Sequence, residues 1–307
     1  MGESVLSVNN VKQRTSVSDY FEREGPFGYL MVLPAVVFIV IMLGYPFILA
    51  VYLSLTNKQI GQTPEFVGLR NFVLLAEDPL FWTTVRNSFV YTGFALALKF
   101  VGGLGLALLL NQNFRGKRLA RAVLMLPWIV PTVFSTLIWW WMLDPAFGIF
   151  NIALKQRGWM QDGIPFLINP FLAMSSLILV NVWRGIPFFA IVVLAGLQSI
   201  PEELMDASRI DGAKNWQTLL YVTLPLMSPV IAVLLLITTI GTIADFELPF
   251  LLTRGGPGNA TTIFGILSYN LATSSGLYGL GTAVTMTMFP ILALIVIRTL
   301  SEIRQKN

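Results

Sequence analysis

Residues 199–225 read SIPEELMDASRIDGAKNWQTLLYVTLP, a polar and amphipathic stretch set between two long apolar runs. The preceding run, 171–200, holds one charge, Arg184; the following run, 226–244, is uncharged until Asp245 and Glu247 close it. A membrane-spanning helix needs roughly 20 mostly apolar residues, because its backbone polar groups must be satisfied within the helix. Both runs meet that demand. Working outward, 122–143 is uncharged with Pro127 and Pro131 near its start, and 87–110 carries only Lys99. Residues 30–55 and 279–297 are clean. The expectation is an all-α membrane protein with six transmembrane helices and no internal repeat.

Composition agrees. Of 307 residues, 55% are hydrophobic and 12% charged, and the mean hydropathy is +0.72. A soluble domain carries about 25% charged residues, so a chain with half that supply is a poor soluble enzyme, disordered scaffold or nucleic-acid binder. Cysteine and histidine are both absent. That removes disulfides, thiol nucleophiles, the usual zinc ligands and the commonest general base.

The cations set the orientation. With the N-terminus inside, Lys12, Arg14, Arg23, Arg115, Lys117, Arg118, Arg121, Arg209, Lys214, Arg298, Arg304 and Lys306 are cytoplasmic. Six others (Lys58, Arg70, Arg86, Lys155, Arg157, Arg254) face outside, and Lys99 and Arg184 lie within spans. Twelve against six is a positive-inside pattern with both termini cytoplasmic. The run at 30–55 is too long for a signal-peptide core and lacks a small-residue cleavage site, so 1–29 reads as a cytoplasmic tail.

The 199–225 segment behaves unlike a linker. Ser199-Ile200-Pro201-Glu202 reads as a capping box with proline at the first helical position. Glu202, Glu203, Asp206 and Arg209 share the helix that follows with Leu204, Met205, Ala207 and Ile210, and Asp211-Gly212 breaks it. A second helix from Asn215 carries Trp216, Leu219 and Leu220, and Pro225 precedes the next span. On the cytoplasmic face this helix–turn–helix is either an interfacial element on lipid headgroups or a docking element for a partner.

The residues from Glu203 to Ala213, followed by Leu224-Pro225, resemble the EAA loop of ABC-importer permeases, in which an E-A-A triplet, three residues and a glycine lead to an LP pair. Asp206 stands at the glutamate and Ser208 at the second alanine, while Ala207, Gly212 and Pro225 match as they stand. Other stretches are similar to the carbohydrate branch of these permeases (the maltose, oligosaccharide and glycerol-phosphate group). They are 66–72 (FVGLRNF) with 78–82 (DPLFW), Leu126-Pro127-Trp128, the Trp139–Trp141 run ending in Asp144-Pro145, Trp183-Arg184-Gly185-Ile186-Pro187-Phe188 leading into 194–201, and 252–257 (LTRGGP). The resemblance covers roughly residues 30–300.

The resemblance implies a three-part layout: a tail (1–29), a six-span permease domain (30–300) with its EAA coupling loop at 198–225, and a second cytoplasmic tail (301–307). It implies a multi-pass protein of the bacterial inner membrane that pairs with a second homologous permease and sits on two ATP-binding subunits. A periplasmic or extracellular solute-binding protein would deliver the sugar. Glu203, Asp206, Ala207, Ser208, Asp211 and Gly212 would couple to the ATPase. The chain has no GxxxxGK[ST] loop, so ATP and Mg belong to the partners and this chain binds no cofactor. It is a transport subunit rather than an enzyme, without catalytic residues or a metal site.

Intramembrane ionisable groups are costly and mark function by default. Asn181, Arg184 and Phe188 are placed on the substrate path, since aromatic faces suit apolar sugar faces while amide and charged groups bond hydroxyls. Resemblance supports this, because the span before the EAA loop contributes to the sugar site in related importers. Asp245 and Glu247 face a wet cavity or pair with Arg184 or Lys99; two apart on a helix, they are no glycosidase pair. Gly102, Gly103 and Gly105 beside Lys99 permit close helix packing, and the Trp139–Trp141 run reads as an aromatic belt. The polar stretch 258–278 reads as an outer loop or short outer helix meeting the binding protein. Lys99 and Arg184 hint at an acidic sugar, unless both pair internally. The rivals are an ion-coupled secondary carrier using Arg184, Asp245 and Glu247, which lacks the usual inverted repeat, and a membrane enzyme.

Overall fold

The computed structural model describes residues 24–306, and among them the regular structure is helical apart from one isolated bridge between Thr56 and Phe66. Residues 1–23, which hold most of the expected N-terminal tail, lie outside the described part. Helix α1 spans Glu24–Ser54; the chain divides at Tyr52, and residues from Leu53 onward form the second unit, which carries the core.

In that unit a short α2 (Arg70–Glu77) leads to α3 (Pro79–Asn111), then α4 (Lys117–Leu124), α5 (Leu126–Ile129), α6 (Thr132–Met142) and α7 (Ile149–Gln156). The long α8 (Pro170–Gln198) precedes α9 (Glu202–Ile210) and α10 (Asn215–Thr218). A π-helical turn (Leu219–Thr223), α11 (Leu224–Leu226), α12 (Ser228–Ile243) and α13 (Glu247–Leu252) follow. α14 (Phe264–Tyr269) runs through a second π turn (Asn270–Ser274) towards α15 (Tyr278–Lys306), so the expected tail at 301–307 continues the last helix up to Lys306.

Four of these helices are long and apolar enough to cross a membrane: Gly28–Ser54, Pro79–Asn111, Pro170–Gln198 and Tyr278–Arg304. Two further pairs qualify only jointly and are sharply bent, Lys117–Ile129 against Thr132–Met142 by 89° and Asn215–Leu226 against Ser228–Ile243 by 73°. Proline lies at both bends, and at the first it pushes the preceding residue out of the helical region. Val130 before Pro131 is extended, and Pro229 opens α12. At 1.5 Å per residue, the 11-residue α6 is only about 16 Å long and too short to span alone.

The paired helices α3 and α8 form the axis. Both start the same way: Asp78 accepts from Leu80 N (2.8 Å) and Asn169 from Phe171 N and Leu172 N, each with proline at the first helical position. Glycine brings them close. A Cβ on Gly102 would lie 2.8 Å from Ile186 Cδ1 and one on Gly103 2.6 Å from Phe189 Cδ1, whereas Gly105 meets nothing. Two of the three glycines thus serve the close packing expected of them.

Irregular backbone is tolerated at membrane depth only when protein groups satisfy it, and buried amides do that work here. Asn71 Nδ2 donates to Ser54 O and Thr56 O (both 2.8 Å). Asn87 Nδ2 donates to Asn259 O (3.0 Å) and Thr262 O (3.2 Å), and Phe264 N donates to Ser88 Oγ (3.1 Å). The 258–278 stretch, expected as an outer loop or short outer helix, holds the short helix α14, and much of it is packed inside its unit. Thr261, Thr262, Ile263, Phe264, Ile266 and Leu267 are buried, and its polar residues are consumed by internal bonds such as Thr262 Oγ1 to Gly255 O. Likewise, Trp139 departs from the aromatic belt: it is buried against Trp183 and Phe150, while Trp140 and Trp141 are exposed.

Candidate functional site

Asn181, Arg184, Gly185 and Phe188 recur at i, i+3, i+4 and i+7 along α8, which places them on one face. Thr238, Gly241, Thr242 and Asp245 repeat the same spacing along α12 and its C-terminal end. The two polar stripes face each other and, with Lys99 of α3 and Trp128 of α5, line a cavity of about 210 Å³. Pro187 interrupts α8 at this level; it has no N–H, so the Trp183 carbonyl loses its helical partner.

One carboxylate oxygen organises the back of the cavity. Tyr91 Oη (2.8 Å) and Asn181 Nδ2 (3.0 Å) both donate to Asp245 Oδ2, and Tyr91 is completely buried. Among the described residues, Asn181 Oδ1 is a buried acceptor without a hydrogen-bond partner. Lys99, only 5% exposed, donates through Nζ to Thr242 Oγ1 (3.1 Å), which itself donates to Thr238 O (2.7 Å). Arg184 Nη1 donates to Thr132 Oγ1.

The Lys99 stem needs Gly185: a Cβ there would stand 2.4 Å from Lys99 Cε and 3.1 Å from Nζ. Trp128 and Phe188 also line the cavity and stack with centroids 5.4 Å apart. A lining of hydroxyls, amide and cations beside an aromatic pair suits a polyol with one apolar face. Among the described residues no cluster of His, Cys, Asp or Glu could hold a metal.

Of the alternatives for Asp245 and Glu247, a wet cavity or pairing with Arg184 or Lys99, direct pairing is not what the structure has. Among the described residues the only salt bridge is Asp206–Arg209, so neither Arg184 nor Lys99 makes a direct ion pair with Asp245 or Glu247. The reason is local: Tyr91 and Asn181 occupy the Asp245 oxygen, and threonine hydroxyls engage the cations. The structure thus brings Asn181, Arg184, Phe188 and Asp245 together. It leaves Glu247 apart, exposed at the start of α13 and outside the cavity lining.

The second expected site lies at 199–225. The capping box at 199–202 does not form, because α8 runs to Gln198 and Ser199 closes it, donating Oγ to Gly196 O (2.8 Å); α9 begins after Pro201 without a side-chain cap. The helix ends in a Schellman turn, with Ala213 N donating to Ser208 O, Gly212 N to Arg209 O, and Gly212 at φ +76°. A capping bond appears one helix later, from Lys214 N to Gln217 Oε1 (2.8 Å).

Ser208 is buried and bonded to Met205 O and Thr218 Oγ1 (3.1 Å), which ties α9 to α10. Glu203, Asp206, Ala207, Asp211 and Gly212 are exposed, beside the exposed apolar side chains of Leu204, Ile210 (87%), Trp216 and Leu220. Asp206 pairs with Arg209 at 2.7 Å; such solvated pairs are worth about 0–1 kcal/mol and exchange readily for another partner.

Sequence reading missed Tyr91, Thr132 and the α12 stripe, and it met Trp128 only as part of a motif. The stripe had a signal, four small or polar residues at helical spacing in an otherwise apolar run. Tyr91 and Thr132 had none, since their roles depend on which helices meet.

Residues 99–306 match the family described as "Binding-protein-dependent transport system inner membrane component". The trehalose/maltose transport system permease protein MalF of Thermococcus litoralis is 34% identical over 87% of this chain and 90% of that protein. The sulfoquinovosyl glycerol transport system permease protein SmoG of Agrobacterium fabrum is 32% identical over 91% and 90%. Among solved structures, a chain of a bacterial ABC transporter that imports the acidic polysaccharide alginate superposes with a TM-score of 0.79 at 27% identity, covering 94% of this chain and 98% of that one. None of these comparisons supports an ion-coupled carrier.

Proposed function

The chain belongs to the family of binding-protein-dependent transport system inner membrane components, and we propose that it forms half of a sugar-translocation path in an ATP-driven importer. The observation that carries this reading is the polar cavity between the α8 and α12 stripes, with the Trp128–Phe188 pair in its lining, within an otherwise apolar helical body. The named substrates of its relatives, trehalose, maltose and sulfoquinovosyl glycerol, are consistent with a glycoside in that cavity.

In this reading each bent pair counts as one span, which makes six, with both termini cytoplasmic as the distribution of Lys and Arg supports. A second homologous permease supplies the other half of the path. A solute-binding protein delivers the sugar from outside; a related alginate importer was solved together with its substrate-bound periplasmic protein. Two partner ATPases carry ATP and Mg.

Helix α9 is the coupling element. Glu203, Asp206 and Ala207 offer an exposed acidic and small surface, Ser208 fixes the helix to α10 from within, and the Gly212 turn sets the angle between them. Closure of the ATPase pair moves α9, and α10 with the π turn passes the movement to α12 and hence to Thr238, Thr242 and Asp245. Such coupling requires contacts that differ between inward- and outward-open states.

Uptake by intact cells or vesicles tests this reading. ATP depletion abolishes uptake and an ionophore that collapses ion gradients leaves it intact. Uptake that survives ATP loss and collapses with the ionophore would contradict it.

A further inference from the structure

The balance of charge in the cavity is the part of the molecule that a general sugar path does not require. Three ionisable side chains line it: Lys99, Arg184 and Asp245. Tyr91 stands behind, and Glu247 lies outside. One carboxylate faces two cations, and its Oδ2 already accepts from Tyr91 and Asn181. The cations bond only neutral hydroxyls, those of Thr242 and Thr132. The ammonium and guanidinium groups carry more N–H donors than these two bonds use.

A buried charge without a counter-charge is costly, and a cleft with an excess of one sign draws in ligands of the other. A neutral sugar would leave that excess uncompensated. A single acid group balances it, whereas a phosphate ester, with about −1.5 to −2 charge at neutral pH, overshoots. Geometry allows a shared grip, since Lys99 Nζ lies against Gly185, the residue next to Arg184.

We propose that the cavity selects glycosides bearing one acid group, a carboxylate or a sulfonate, held between Arg184 and Lys99 with the ring on Trp128 and Phe188. This rests on the sugar-importer reading and names its substrate class.

The test is equilibrium dialysis of the assembled transporter in detergent, without its binding protein, against three labelled glycosides matched in size: a neutral glucoside, a glucuronide and a 6-sulfonated glucoside. ATP-dependent uptake of the same three into liposomes is measured alongside. At least one acid-bearing glycoside binds more tightly than the neutral one, and the two arms show which acid group is held. Arg184→Leu and Lys99→Met each weaken acid binding by about ten- to a hundredfold, the worth of one charge-assisted hydrogen bond, and so lower the acid-to-neutral ratio, because a bond from either cation to a neutral hydroxyl is weaker than one to an acid group. Arg184→Lys, which keeps the charge, restores part of the preference. A neutral glucoside bound as well as both acids, or an acid-to-neutral ratio unmoved by Arg184→Leu and Lys99→Met, overturns the proposal while leaving the importer reading intact. Binding of none of the three also overturns the proposal, whereas the importer reading fails separately, on uptake that survives ATP loss.

Discussion

Trp128 and Phe188 lie face to face, their ring centroids 5.4 Å apart and their planes 15° from parallel. Trp128 sits on the short α5 just before the 89° bend, and Phe188 is one residue beyond the proline that interrupts α8. Two irregular helices therefore meet at an aromatic pair on the cavity wall, next to Arg184. Each irregularity removes backbone hydrogen bonds, a feature tolerated where the chain lines a cavity.

The aromatic pair should govern sugar affinity. Phe188→Ala removes an apolar platform, and aromatic pairs are worth about 0.5–1.5 kcal/mol beyond their buried area. The KM for uptake should rise by about tenfold with the lost contact area included, while the amount of assembled transporter stays unchanged. Transport assays with Phe188→Ala and Trp128→Ala check this, and an unaltered KM in both removes the pair from the site.

Gly185 is a packing requirement of the lysine. With Lys99 Cε 2.4 Å from the position of a Cβ, Gly185→Val must displace the stem. Overpacking of this kind costs about 1–3 kcal/mol. The variant should melt at lower temperature and lose transport more severely than Gly105→Val, whose Cβ meets nothing within 4 Å. Thermal unfolding of the two variants side by side gives the comparison.

Asn87 holds the 254–264 segment in place through two carbonyls. Asn87→Leu removes a donor from both carbonyls; Asn259 O keeps its bond from Thr262 N (3.2 Å), while the loss at Thr262 O costs about 1–3 kcal/mol. The segment should loosen locally, so trypsin should cleave at Arg254 faster than in the unaltered protein. Equal cleavage rates would show that the segment is held by its apolar packing alone.

These cases show where the sequence was informative. The long runs beginning at Pro79, Pro170 and Tyr278 were legible because apolar length is a strong signal and Asx-Pro pairs mark two of their starts. The bends at 130–131 and 227–228 were not, because proline announces an interruption but not its angle. Ser199 was read as opening α9 because Ser-x-x-Glu fits that role, yet the end of α8 claims it first. The burial of Thr261 and Thr262 within the stretch read as an outer loop or short outer helix was not legible, since polarity reports the need for a hydrogen bond and not whether water or backbone supplies it. In the cavity, charge and spacing found Asn181, Arg184, Phe188 and Asp245. The threonine partners of the two cations depended on tertiary contact alone.

The central claim is that α9 delivers ATP-driven movement to the cavity, and Asp206 is an exposed charged residue of that helix. The direct measurement is purification of the tagged chain from its native membrane in mild detergent, as the unaltered protein and as Asp206→Lys, with identification of what accompanies each. The account predicts that the unaltered chain brings a second permease and an ATPase, and that Asp206→Lys keeps the permease and loses the ATPase. A stable chain with neither companion, or an ATPase retained by Asp206→Lys with normal transport, would contradict it.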